Sequence, residues 1–142
     1  MVTRVRDLMT RDVVTLDVDE SLLLADDVMR LGRIRHLPVV RGGTLVGLVS
    51  HRDMLRASVS SLAGLSRSEE ASIKRAIPVR ECMAREVVTV GPDETALGAC
   101  KLILDRKLGC LPVVDDQRRL VGILTEADFV QLARRYLEED RA

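Results

Sequence analysis

Aromatic side chains are nearly missing from this 142-residue chain, which has one Phe, one Tyr and no Trp. That scarcity removes the platforms on which single-stranded bases stack. It also requires an aliphatic core of Val, Leu, Ile, Met and Ala, which a hydrophobic content of 46% can supply. Net charge is missing too: 22 basic residues balance 22 acidic ones, so no overall field draws nucleic acid. No apolar run approaches the roughly 20 residues needed to span a bilayer. The charged start Met1-Val-Thr-Arg-Val-Arg-Asp7 is not followed by the apolar segment of a signal peptide. A cytoplasmic protein with no membrane partner is expected. Cysteines are few: Cys82, Cys100 and Cys110 lie 18 and 10 positions apart, which is neither CxxC nor zinc spacing. They read as reduced structural thiols, and no local Cys/His arrangement marks a nucleophile.

What is present is a duplication. Val5-Arg-Asp-Leu-Met-Thr-Arg-Asp-Val-Val-Thr15 returns as Val79-Arg-Glu-Cys-Met-Ala-Arg-Glu-Val-Val-Thr89, 74 positions later. Asp19-Glu20-Ser21 then meets Asp93-Glu94-Thr95, and Leu37-Pro38-Val39-Val40 meets Leu111-Pro112-Val113-Val114. By Leu45-Val46-Gly47 against Leu120-Val121-Gly122 the offset is 75, so the turn Arg41-Gly42-Gly43-Thr44 has gained one residue in the second copy, Asp115-Asp116-Gln117-Arg118-Arg119. Hairpin loops tolerate such changes.

Each copy predicts the same elements. In the first, Asp12–Leu16 reads as a short β-branched strand, Asp19 as an N-cap, and Leu22, Leu23, Ala25, Val28 and Met29 as the apolar side of a helix ending near Gly32. Leu37–Val40 and Leu45–Val49 read as a hairpin buried on both faces, followed by a second helix from near His51, or from near Glu126 in the second copy. In that last helix Phe129, Val130, Leu132, Ala133, Tyr136 and Leu137 make a wide apolar stripe, read as core or subunit contact. The boundaries are 1–58 for the first unit, 59–78 for a linker and 79–142 for the second unit. Within the linker, Ser66 and Glu69 have capping-box spacing for a short helix through about Arg75, which Pro78 terminates. Units of about 60 residues bury too little surface to be stable alone. They are expected to pack on each other with pseudo-twofold symmetry, leaving equivalent clefts.

One segment could carry chemistry. Gly47-Leu-Val-Ser-His-Arg-Asp53 and Gly122-Ile-Leu-Thr-Glu-Ala-Asp128 place a hydroxyl at a strand-to-helix junction and a carboxylate three residues on. A helix start favours phosphate, and an acceptor-only Asp can take both ribose hydroxyls. The same spacing also serves as a plain helix cap.

Taken with Val13-Val-Thr-Leu16 and His36-Leu-Pro-Val-Val40, and with Val87-Val-Thr-Val90 and Cys110-Leu-Pro-Val-Val114 in the second copy, the constellation resembles the cystathionine-β-synthase (CBS) domain. The tandem resembles a Bateman module over nearly the whole chain outside the linker. The resemblance implies an α/β fold of two tandem β-α-β-β-α CBS units packed sheet to sheet with pseudo-twofold symmetry. It also implies clefts accepting AMP, ADP, ATP or S-adenosylmethionine-like ligands. Adenine would lie against Val14, Leu37 and Pro38, or against Val88, Leu111 and Pro112. Asp53 and Asp128 would hold ribose, Ser50 and Thr125 would face phosphate, and Thr15 and Thr89 would add polar contacts or serve as plain strand residues.

The two sites differ in charge. His51 and Arg52 flank the first motif, and Arg35 and His36 precede its neighbouring strand, whereas the second copy has Glu126, Ala127, Gly109 and Cys110. An anionic ligand is therefore expected to prefer the first site, unless linker cations such as Lys74 or Arg75 even the balance. His36 and His51 have no carboxylate or Cys in ligand spacing, so no metal is expected. Neither catalytic residues nor a resident cofactor are expected. The reading is a regulatory module that forms a homodimer and signals in trans to an unknown protein target. The alternative is a ligand-free interaction module of the same fold.

Overall fold

Helix starts in this chain are set by small hydroxyl side chains. The computed structural model describes residues 2–61 and 64–141, leaving aside the side chains of residues 57–61. In it, Ser21 Oγ accepts the Leu24 N–H at 3.1 Å and Thr95 Oγ1 accepts the Gly98 N–H at 3.1 Å. These caps open two equivalent helices, so the cap expected at Asp19 is corrected to Ser21. Asp19 instead pairs with Arg80 at 2.5 Å. Both helices end on a residue in the left-handed region, Arg33 (φ 52°) and Lys107 (φ 54°), one position beyond Gly32 in the first copy.

In chain order the elements are α1 (Val5–Leu8), β1 (Leu16–Asp17), α2 (Leu22–Gly32), β2 (His36–Arg41), β3 (Thr44–Ser50), α3 (His51–Ser61), α4 (Arg67–Ala76), a 3-10 turn (Val79–Glu81), α5 (Ala96–Arg106), β4 (Cys110–Val114), β5 (Leu120–Thr125) and α6 (Glu126–Glu139). This is β-α-β-β-α twice. The first strand is shorter than the β-branched run suggested. β1 has only two residues, pairing parallel with β2 as Leu16↔Val39 and Asp17↔Val40, while its counterpart is the single bridge Val90↔Val113. Upstream of β1, the Val13 N–H is spent on the Arg11 carbonyl, which curls the backbone out of the sheet.

The hairpins are antiparallel and share an irregularity after Val39 and after Val113. Gly42 and Gly43, both at positive φ, make the first turn. In the second turn the Asp115 carboxylate accepts the N–H groups of Gln117 and Arg119, each at 2.9 Å, and so accommodates the extra residue. β4 is buried at all five positions. β3 alternates instead: Leu45, Gly47 and Val49 are buried, while Val46, Leu48 and Ser50 are half-buried. The expectation of burial on both faces therefore fails for β3.

Compact units do not follow the order of the repeat. One unit joins the segment through Val13 to the chain from Val88 onward, and the other is Val14–Val87. Each copy's leader thus packs in the unit built by the other copy. Val79 is fully buried with Leu16, Val18, Leu22, Ala25, Met29, Leu37, Val39, Val49 and Met54. Val5 is fully buried with Val90, Ala99, Ile103, Leu111, Val113 and Leu124. Burying one such valine stabilises by about 1.5–3 kcal/mol. The backbone repeats the exchange, since the Val79 N–H bonds the Glu20 carbonyl at 2.8 Å and the Val5 N–H bonds the Glu94 carbonyl at 2.9 Å. Arg80–Asp19 and Arg6–Asp93 are the matching ion pairs.

The linker begins inside α3, and residues 62 and 63 lie outside the described residues. Ser66 and Glu69 form the anticipated capping box, and α4 ends at Ala76 before Pro78. Lys74 reaches Asp26 of α2 at 3.2 Å, laying α4 along that helix. Among the described residues, no helix is long and apolar enough to cross a membrane.

Candidate functional site at the strand-to-helix junctions

The first junction is assembled by register. His36 stands opposite Ser50 and Leu37 opposite Val49, and the His51 N–H bonds the Arg35 carbonyl at 2.8 Å. Arg35, His36, Ser50, His51 and Arg52 therefore share one end of the hairpin, with Arg35, His51 and Arg52 exposed. Val14 and Thr15 lie just upstream of β1, whose parallel pairing with β2 begins at Leu16↔Val39. Val14 is 46% exposed and Thr15 is exposed as well.

Asp53 turns back onto its own junction. Its Oδ2 accepts the Ser50 N–H at 2.9 Å and the Ser50 hydroxyl at 2.8 Å, while Ser50 Oγ accepts the Asp53 N–H at 3.1 Å. The capping arrangement that the spacing allowed is thus present. It occupies one carboxylate oxygen only, and Oδ1 accepts no hydrogen bond among the described residues. The carboxylate also acts on Cys82, whose thiol is raised above its ordinary range chiefly by burial, then by the charges of Glu81 and Asp53.

The second junction repeats this plan with different chemistry. Cys110 stands opposite Thr125 and Leu111 opposite Leu124, and Asp128 Oδ2 accepts the Thr125 N–H at 2.8 Å and its hydroxyl at 3.5 Å. Val88 and Thr89 are half-buried. Glu126 and Gly109 occupy the places of His51 and Arg35, so the cations of the first junction have no counterpart here. Cys110 is buried, and burial pushes its thiol up to about 12. No three His, Cys, Asp or Glu side chains converge in metal-ligand geometry among the described residues.

Two parts of the expected site look different in three dimensions. Leu37, Pro38, Leu111 and Pro112 are fully buried, because β2 and β4 are core strands. They offer a ligand backbone rather than apolar walls, which leaves Val14 and Val88 as the accessible apolar contacts. Lys74 is tied to Asp26, so it does not supply the first junction with charge.

Sequence reasoning assigned no role to Met9 and Met83. A Cβ on Gly47 would collide with Met83 Sδ and come within 3.0 Å of the Ala84 carbonyl oxygen. One on Gly122 would meet Met9 Sδ at 2.6 Å and the Thr10 carbonyl oxygen at 3.0 Å. Each leader closes on the strand beside the junction through a pair of backbone hydrogen bonds, Leu48–Ala84 at 3.0 and 2.9 Å and Thr10–Ile123 at 3.0 Å each way. The one available signal was that a Met stands at the same place in both copies of the repeat.

A hairpin-to-helix junction that recurs once in each unit defines the class, and the comparisons agree. The CBS domain family matches residues 5–60 and 79–135. The chain belongs to that family and carries it as a tandem pair, a Bateman module, of the kind associated with regulation through nucleotide-type ligands. A Vibrio cholerae protein assigned to acetoin utilization (AcuB) superposes with a TM-score of 0.82 at 34% identity, covering 100% of this chain and 98% of that one. The CBS domain pair of protein MJ0100, solved in complex with 5′-methylthioadenosine and S-adenosyl-L-methionine, gives 0.75 at 29% identity, covering 93% and 96%. CBSX2, solved in complex with AMP, gives 0.79 at 28% identity, covering 94% and 98%. Among curated relatives, the chain spans 24% of an inosine-5′-monophosphate dehydrogenase of Korarchaeum cryptofilum and 24% of a homoserine O-acetyltransferase of Methanococcoides burtonii, at 33% and 35% identity over 89% and 92% of this chain.

Proposed function

We propose that this chain is a non-catalytic sensor whose strand-to-helix junctions bind an adenosine-type ligand and whose ligand state is read in trans by a protein target. The observation that carries it is the divided carboxylate. Asp53 and Asp128 each commit Oδ2 to the local cap and keep Oδ1 available to a ribose hydroxyl. Each junction also opens a helix whose N-terminus suits phosphate, and adenine is assigned to the exposed Val14 or the half-buried Val88. Similar pairs solved with AMP, with S-adenosyl-L-methionine and with 5′-methylthioadenosine support the ligand class.

Charge divides the two junctions. Arg35, His51 and Arg52 suit AMP, ADP or ATP at the first, whereas Glu126 suits an uncharged or cationic adenosine derivative at the second. The signal would be a shift among arrangements that the ligand binds unequally.

The test is a thermal-shift screen of AMP, ADP, ATP, NAD and S-adenosylmethionine on the wild type, Asp53→Asn and Asp128→Asn. Asn keeps a carbonyl oxygen for the cap and replaces the second acceptor by a donor, so it separates capping from ribose binding. Unchanged basal Tm with loss of the shift for phosphorylated ligands in Asp53→Asn supports the assignment. No shift with any compound on the wild type leaves the interaction module as the correct reading.

A further inference from the structure

The chain passes from one compact unit to the other between Val13 and Val14, and again between Val87 and Val88. Both crossings fall at the residues to which adenine is assigned. Just upstream, each leader is tied to the other copy's hairpin, two residues before the junction hydroxyl. Thr10 and Ile123 exchange backbone hydrogen bonds at 3.0 Å each way ahead of Thr125, and Leu48 and Ala84 do so at 3.0 and 2.9 Å ahead of Ser50. Three residues therefore separate Thr10, anchored at the second junction, from Val14 of the first, and three separate Ala84 from Val88. The two straps differ in bracing. In the first, the Val13 N–H bonds the Arg11 carbonyl at 3.0 Å, and Leu16 then enters β1 opposite Val39. In the second, the matching Val87 N–H makes no such bond to Arg85. Val14 and Thr15, both exposed, make no backbone hydrogen bond among the described residues. The first strap is thus pinned at both ends, braced in its linking residues, and loose only where a ligand would touch it.

We infer that residues 10–16 are a coupling strap: a ligand ordered against Val14 and Thr15 at the first junction tightens the Thr10–Ile123 pairing beside the second. The inference rests on the sensor reading proposed above and adds the route by which its two sites communicate. The pairing is the element with two states, closed or locally open, that both ends of the strap bias. A strap whose middle is already held loses less freedom when its end closes, so the two events favour each other without any new contact. The help is mutual by linkage: a closed Thr10–Ile123 pair strengthens ligand binding at the first junction, although neither residue is among those assigned to the ligand. The unbraced second strap transmits less, because motion at Val88 is absorbed in Arg85, Glu86 and Val87 before it reaches Ala84.

The test is amide hydrogen exchange, read by NMR on the intact chain in an Asp128→Asn background that confines AMP to the first junction. Saturating AMP should slow exchange of the Thr10 and Ile123 amides about fivefold. Two glycines inserted between Asp12 and Val13 should remove that slowing while AMP still binds. General stabilisation by the ligand is common to both proteins at equal saturation and cancels in the comparison. Val13→Gly, a milder loosening that adds no length, should remove part of the slowing and serves if the insertion disturbs folding. The same insertion between Glu86 and Val87 should leave the slowing at Thr10 and Ile123 in place. AMP that binds without changing these amides, or that protects them equally with the first strap loosened, overturns the coupling and leaves the sensor reading standing. An Asp128→Asn protein that binds none of AMP, ADP and ATP overturns both.

Discussion

At the scale of single residues, the two junctions show how one side chain can hold two roles. A carboxylate has two oxygens, and a helix cap consumes one, so structural need and ligand recognition at Asp53 and Asp128 need not compete. Sequence spacing alone could not separate these readings, because both want a hydroxyl followed three residues later by an acid. Cys110 is a simpler case. Buried opposite Thr125, its thiol stays protonated up to about 12 in the fold, whereas in the unfolded chain it ionises near its ordinary value of 9.0. Above that value the unfolded state has lost a proton that the native state retains, so stability falls as pH rises and is fully present below it. Between pH 8 and pH 10 the wild type should lose about 1.4 kcal/mol more than Cys110→Ala. Urea unfolding of both proteins at the two pH values measures this, and parallel losses would show that the thiol is not held neutral.

At the scale of elements, the notches at Gly47 and Gly122 explain why a residue with no side chain stands mid-strand in both copies. The methionine of each leader fills the space that a Cβ would take. Gly47→Ala and Gly122→Ala should each destabilise by about 1–3 kcal/mol, the cost of overpacking a close backbone approach. Thermal unfolding of the single variants tests this; partial recovery in Gly47→Ala with Met83→Ala, beyond additivity, would tie the loss to that contact. Much at this scale was legible beforehand. The hairpins, the helices starting at His51 and Glu126, and the capping box of α4 follow from apolar periodicity and cap spacing. What periodicity could not reveal was the shortness of β1. Val13 and Val14 have the β-branched character of a strand, yet the backbone there bonds locally and leaves the sheet. The cap at Asp19 was misplaced because an acid two positions before a hydroxyl looks equally apt until Arg80 is seen to hold it.

At the scale of the whole molecule, connectivity is the property that sequence order concealed. A repeat invites the assumption that each copy folds on itself, but Val5 and Val79 are buried in units built mainly by the other copy. Neither hydrophobic pattern nor motif spacing encodes which of two equivalent acceptors a leader will choose. A fragment comprising residues 79–142 should therefore fail to fold as a stable monomer, because it lacks Val5 and Met9 and carries a leader whose acceptor is absent. Circular dichroism and amide dispersion of the fragment, alone and with a peptide of residues 2–13, test this. Folding without the peptide would show that the exchange is dispensable.

The same reciprocal leaders make the chain able to trade arms between molecules. At high concentration the leader of one chain can satisfy the acceptor of its neighbour with every native contact retained, so the exchange costs little beyond the entropy of association. Refolding from denaturant at rising protein concentration should accordingly trap interlocked pairs that dilution separates only as slowly as the protein unfolds.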